Sequence, residues 1–86
     1  MFEVVLSPEA ASFHAKADRP LARKLARCFA QPEDDPRASG NVKRLTGDFA
    51  GYFRYRLGDW RVIYRIDDAA SKVLIVLIAH RRDVFD

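Results

Sequence analysis

Two runs of alternating side chains, Tyr52-Phe53-Arg54-Tyr55-Arg56-Leu57 and Trp60-Arg61-Val62-Ile63-Tyr64-Arg65-Ile66, are separated only by Gly58-Asp59. A two-residue link between period-two segments leaves little choice other than a β-hairpin, and Gly-Asp suits its tight turn. The link also sets the register. Leu57 faces Trp60, Arg56 faces Arg61, Tyr55 faces Val62 and Phe53 faces Tyr64. One face then collects Phe53, Tyr55, Leu57, Trp60, Val62, Tyr64 and Ile66, a core face. The other collects Tyr52, Arg54, Arg56, Arg61, Ile63 and Arg65.

The rest of the chain is read around this hairpin. Phe2 to Leu6 is a short apolar strand. Ser7-Pro8-Glu9 supplies a capping hydroxyl, a proline suited to a first helical turn and an acid that favours the helix dipole. A helix follows through about Ala17, with Ala10, Phe13, His14 and Ala17 at helical spacing. Asp18 caps a second helix whose apolar stripe is Leu21, Leu25, Cys28 and Phe29, ended by Gln31-Pro32. Glu33 to Gly51 reads as a long connection, basic at Lys43-Arg44. After the hairpin, Asp67 to Ser71 is a polar turn. Val73 to Ala79 is apolar at every position, as in a strand buried on both faces and central in its sheet. The expected fold is α+β: one N-terminal strand, two helices, then a three-stranded antiparallel meander, giving a largely antiparallel sheet with the helices on one face. The 86 residues make room for one domain, 1–86.

Residues 1–42 carry six basic and six acidic side chains, so the net charge of +3 belongs wholly to the C-terminal half. That asymmetry suits a nucleic-acid partner. Cys28 is the single cysteine, so no internal disulfide forms, which fits a reducing cytoplasm. There is no signal-peptide pattern at the start, and the longest apolar run is too short to span a bilayer, so no membrane partner is expected.

The chemistry lies on the polar face of the hairpin. Like charges directly across a strand pair destabilise it, yet Arg56 is set against Arg61 with Arg54 beside them. A bound anion explains the arrangement. Arginine offers phosphate a planar fork of donors and stays protonated. Cleavage of a phosphodiester builds charge on non-bridging oxygens, which fixed cations stabilise. RNA carries its own nucleophile, the 2′-hydroxyl, so no metal or other cofactor is expected. Other chemistries lack support: Cys28, His14 and His80 are far apart, the acidic runs Glu33-Asp34-Asp35 and Asp67-Asp68 read as solvated loops, and no glycine-rich phosphate loop is present. The aromatics Phe13, Phe29, Phe49, Phe53, Tyr55, Trp60 and Tyr64 read chiefly as core. His80 follows the buried strand beside Arg81-Arg82, and its role stays open between structural and catalytic.

Leu45-Thr46-Gly47, the block Gly51 to Tyr64 and the ending Ile78-Ala79-His80-Arg81-Arg82-Asp83-Val84-Phe85 resemble the RelE/ParE toxin superfamily along nearly the whole chain. The resemblance, to the RelE branch, implies a toxin of a type II toxin–antitoxin system, cutting messenger RNA on the ribosome and neutralised by a cognate antitoxin. It implies that Arg54 and Arg56 flank the scissile phosphate, that Arg61 holds it, and that Arg81 gives a proton to the leaving 5′-oxygen. Where the family commonly has a catalytic tyrosine, this chain has Phe85, which exchanges no proton. His80 is the nearest substitute as base.

The expected catalytic set is therefore Arg54, Arg56, Arg61, His80 and Arg81, with RNA contacts at Lys43, Arg44, Tyr52, Arg65, Arg82 and Phe85. The rival readings are a non-catalytic or gyrase-inhibiting ParE-like toxin and a non-enzymatic nucleic-acid-binding domain. Arg61→Ala, which deletes a phosphate clamp rather than a core contact, is expected to abolish toxicity and mRNA cleavage while leaving the fold intact, or mildly stabilising it by relieving repulsion against Arg56.

Overall fold

The structure, a computed structural model, describes residues 2–34 and 42–83, with side chains over 2–28 and 42–82. The order is β1 (Glu3–Leu6), α1 (Pro8–Lys16), α2 (Arg19–Asp34), β2 (Val42–Arg44), β3 (Tyr52–Leu57), β4 (Trp60–Asp67) and β5 (Lys72–His80), with short 3-10 turns at Gly47–Phe49 and Arg81–Asp83. The strands form one sheet in the order β1-β5-β4-β3-β2. Only the β1–β5 pair is parallel; the other three are antiparallel.

The hairpin closes in the expected register, Leu57 to Trp60 and Arg56 to Arg61. Gly58 takes φ +59° while Asp59 stays in the negative region. A positive φ at the first turn residue alone is the type II′ pattern, whose twist matches that of the strands. Across the sheet, Phe53, Tyr55, Val62, Tyr64, Val73, Ile75 and Ile78 pack on Ala10, Leu25 and Cys28 of the helices, with Leu57 and Ile66 at the margin. Phe53 and Tyr64, cross-strand partners, stack at 5.6 Å.

Some expectations change. Helix α2 runs past Gln31-Pro32 to Asp34; a proline this near the C-terminus costs one backbone hydrogen bond without stopping the last turn. The long connection contains a fifth strand, β2, giving four strands after the helices rather than three. Three residues are too few to show alternation. The middle of the sheet belongs to β4, with β5 between it and β1, and β5 is not buried on both faces, since Leu77 is 37% exposed. Phe49 is 50% exposed and so is not core. The side chain of Phe29 lies outside the described residues.

One device ties the first strand to the last. Ile63 pairs with Leu77 but Tyr64 pairs with Ile75, so Val76 is an extra residue in β5, a β-bulge. Ser7 Oγ donates to the Val76 carbonyl at 3.2 Å and accepts from Ala10 N at 3.1 Å, while Ser7 N donates to Ile75 O at 2.8 Å. The expected cap of α1 thus also satisfies the bulge. Asp18 caps α2 as expected, its Oδ1 accepting from Leu21 N at 3.0 Å.

Ser7→Ala should therefore lose both a cap and a hydrogen bond, lowering stability by about 2 kcal/mol in urea denaturation, whereas Ser7→Thr keeps the hydroxyl and most of the stability. Burial pushes the Cys28 thiol up to about 12 from 9.0. The neutral thiol is the form that the fold accepts. Its contribution is therefore complete below the unfolded pKa and falls by about 1.4 kcal/mol per pH unit above it, until the folded pKa is reached. Native protein at pH 8 should resist a thiol reagent that labels Cys28 at once after unfolding.

Candidate nucleic-acid interface

Strand registers place side chains in rows across the sheet. On the face away from the helices, one row is Lys43, Arg54, Ile63 and Leu77, the next Arg56, Arg61 and Ala79, and another Tyr52, Arg65 and Leu74. Six of the predicted site residues, Lys43, Tyr52, Arg54, Arg56, Arg61 and Arg65, are thus brought to one surface. Neighbours within such rows sit about 4.5–5.5 Å apart.

This face is less open to water than a simple solvated strand face would be. Arg54 is only 7% exposed and Arg61 5%, with Ile63 at 2% between them on the sheet; Arg56 and Arg65 are exposed. Arg61 Nη1 donates to Gly58 O at 2.8 Å and to Trp60 O at 2.9 Å. Carbonyl oxygens of the tight turn thereby take up a buried cation's donors, reducing its desolvation cost. Arg61 is consequently part of the hairpin as well as a candidate phosphate ligand. The expectation that deleting it leaves the fold's stability untouched is revised by that geometry.

The other predicted residues lie elsewhere. Arg44 pairs with core-facing Phe53 and holds its guanidinium 5.7 Å from that ring, on the helix side. His80 pairs with Trp60, whose ring it meets edge-on at 5.3 Å, and Trp60 meets Phe13 of α1 in the same way at 5.3 Å. His80 Nδ1 accepts from Arg82 N and Nε, both at 3.3 Å. His80 thus lies on the opposite face of the sheet from Arg54, Arg56 and Arg61. Arg81 follows the last rung and lies beside the hairpin turn, its N donating to Asp59 O at 2.7 Å and its Nη1 3.6 Å from Asp59 Oδ1. Phe85 lies outside the described residues.

A groove of about 750 Å³ on the helix side is lined by Phe13, Ala17, Leu21 and Trp60, with Glu9 and Asp18 among its polar residues. It lies on the opposite face of the sheet from the arginine rows. Among the described residues, no three of His, Cys, Asp and Glu gather as a metal centre would require. Nor is any described helix long and apolar enough to cross a membrane. Asp59 is the site residue that sequence reasoning missed: its meeting with Arg81 depends on the β4–β5 register, which no short turn announces.

The family model for the ParE toxin of type II toxin–antitoxin systems matches residues 4–85. The chain belongs to this toxin family. Toxin RelG of Mycobacterium tuberculosis is 35% identical over 72 residues, covering 84% of this chain and 80% of that protein. In the RelBE2 toxin–antitoxin complex of the same organism, a chain 28% identical superposes with a TM-score of 0.75, covering 93% of this toxin and 98% of that chain. A chain of the archaeal RelE–RelB complex from Pyrococcus horikoshii has a TM-score of 0.81 at 22% identity, covering 96% and 98%, a likeness of fold. Together these place the toxin in the RelE/ParE superfamily, with its α+β architecture.

Because Arg61 holds two turn carbonyls, Arg61→Ala should destabilise the toxin by about 1–3 kcal/mol in urea denaturation. Arg56→Ala, on the exposed partner across the strand pair, should stay within about 0.5 kcal/mol of wild type.

Proposed function

We propose that this toxin is an endoribonuclease that cuts messenger RNA on the ribosome without a metal. The observation that carries the reading is the pair Arg54 and Arg61, 7% and 5% exposed on the helix-free face, with Arg56 directly opposite Arg61. Burying guanidinium groups beside one another costs free energy that a simple solvated strand face would not incur. Held in place, they can meet developing charge with little reorganisation.

In the proposed reaction the 2′-oxygen of one nucleotide attacks the adjacent phosphorus and the bond to the 5′-oxygen breaks. The products are a 2′,3′-cyclic phosphate and a 5′-hydroxyl; the 2′-hydroxyl loses a proton and the leaving oxygen gains one. Arg54, Arg56 and Arg61 stabilise the charge on the phosphoryl oxygens. Arg81, beside the turn, serves the leaving oxygen. Lys43, Tyr52 and Arg65 extend the face along the message. His80, on the helix side and engaged with Arg82, is assigned to holding the Arg81–Arg82 turn in place of the proton transfer first expected of it. The rate then rests on charge stabilisation and positioning.

The partner proposed is a cognate antitoxin. The RelBE2 neighbour comes from a toxin–antitoxin complex and the archaeal neighbour from a RelE–RelB complex, and a face of fixed cations suits an acidic segment that folds as it binds. A second reading, a ParE-like toxin acting on gyrase without cutting RNA, is favoured by the family model that matches; the paired arginines favour cleavage.

Programmed ribosomes carrying a defined message test the proposal. Wild-type toxin should leave 2′,3′-cyclic phosphate and 5′-hydroxyl ends, and a 2′-deoxy nucleotide at the cut should stop the reaction. Arg61→Lys, which keeps a charge but loses the fork, should cost about 10²–10³ in rate, and Arg56→Ala checks the same face with less risk to folding. Intact message together with inhibited gyrase supercoiling would establish the second reading instead.

A further inference from the structure

Asp59 belongs to a tight turn, but it meets Arg81 twice. The β4–β5 ladder ends at Trp60 opposite His80, so Asp59 and Arg81 are the next pair beyond it. Arg81 N donates to Asp59 O at 2.7 Å, and Arg81 Nη1 lies 3.6 Å from Asp59 Oδ1. The two contacts do different things. The main-chain bond ties the end of β5 to the turn whatever side chain stands at 59. The ion pair joins side chains that are 62% exposed at Arg81 and 63% at Asp59.

So exposed a pair contributes little to folding, at most about five-fold in an equilibrium constant, and salt weakens it further. Its consequence is for the guanidinium. A carboxylate offers Arg81 what a phosphate offers, anionic oxygens, but here through a single contact at 3.6 Å. A phosphate oriented for two parallel hydrogen bonds is the better ligand.

We infer that Asp59 is an internal competitor for Arg81: its carboxylate occupies the guanidinium that an RNA phosphate takes, positioning Arg81 at the turn and lowering affinity for RNA backbone generally. The inference rests on the endoribonuclease reading and adds a residue that tunes it. A phosphate presented in good geometry displaces the carboxylate; a loosely placed one gains less. Asp59 thus sets a threshold against indiscriminate backbone binding, which is discrimination by an element that opposes the wrong ligand.

The test uses a 2′-O-methyl RNA oligonucleotide, which lacks the free nucleophile and so is bound without being cut. Its affinity is measured by fluorescence anisotropy across a salt series for wild type, Asp59→Asn, Arg81→Ala and the double variant. Asn keeps the main-chain carbonyl, and circular dichroism verifies folding. Asp59→Asn should bind about two- to five-fold tighter at low salt, with a steeper salt dependence because salt weakens the competing ion pair in the wild type. In the Arg81→Ala background that gain should vanish. An equal gain in both backgrounds would mean that Asp59 acts through net charge alone and would overturn the inference, as would no gain in either. If the wild type cuts message on ribosomes and the coupling is absent, only the inference falls. If none of the four proteins binds RNA and the message stays whole, the endoribonuclease reading falls and takes the inference with it.

Discussion

The turn at Gly58-Asp59 spans two residues because Gly58 accepts φ +59°, and the length of that turn determines which side chains share a face. Side chains on a strand alternate with period two, so a slip of one residue in the pairing would send every hairpin side chain on one strand to the wrong side. With the observed register, Phe53, Tyr55, Val62 and Tyr64 meet the helices while Arg54, Arg56 and Arg61 line the opposite surface. The core and the candidate site are therefore two consequences of one constraint. Arg61 reinforces it from above, since its Nη1 binds the carbonyls of Gly58 and Trp60 on either side of Asp59.

That arrangement sets stability against charge. Arg56 and Arg61 face each other across the strand pair, which opposes pairing, and Arg61 is buried besides. The turn carbonyls offset part of the cost. Exposed and mobile arginines would cost less but would have to be ordered when an anion arrives. Arginines fixed in advance meet that cost during folding, which suits the proposed stabilisation of a developing charge. The sheet carries this load because strands hold side chains more rigidly than loops do, and because the packed core lies directly beneath them.

How much of this was legible follows from the range of each signal. The hairpin register, the Ser7 and Asp18 caps and the core face are local: a few adjacent residues decide them, and the structure agrees. Strand β2 was hidden because Val42-Lys43-Arg44 is too short to display a period. It is recognisable only from its partner, Lys43 lying opposite Arg54. The burial of Arg54 and Arg61 was hidden because alternation says which face a side chain takes and nothing about how far water reaches it. The face His80 takes was hidden because a continuous apolar strand has no visible alternation. Its face depends on the pairing of β5 with β4 and on the bulge at Val76, both long-range facts.

The bulge also shows why the two faces can serve different ends. An inserted residue would ordinarily invert the strand beyond it, but Val76 is absorbed as the unpaired residue and Leu77 resumes opposite Ile63. Ser7 binds the carbonyl left over. Beyond the bulge, Ala79 therefore lies beside Arg61, while His80 lies against Trp60, whose ring in turn meets Phe13. The aromatic contacts brace the end of β5 from the helix side at the point where Arg81 emerges toward Asp59. A serine at the start of the first helix and an aspartate in a distant turn thus hold opposite ends of the same strand segment, Ser7 at Ile75 and Val76 and Asp59 at Arg81.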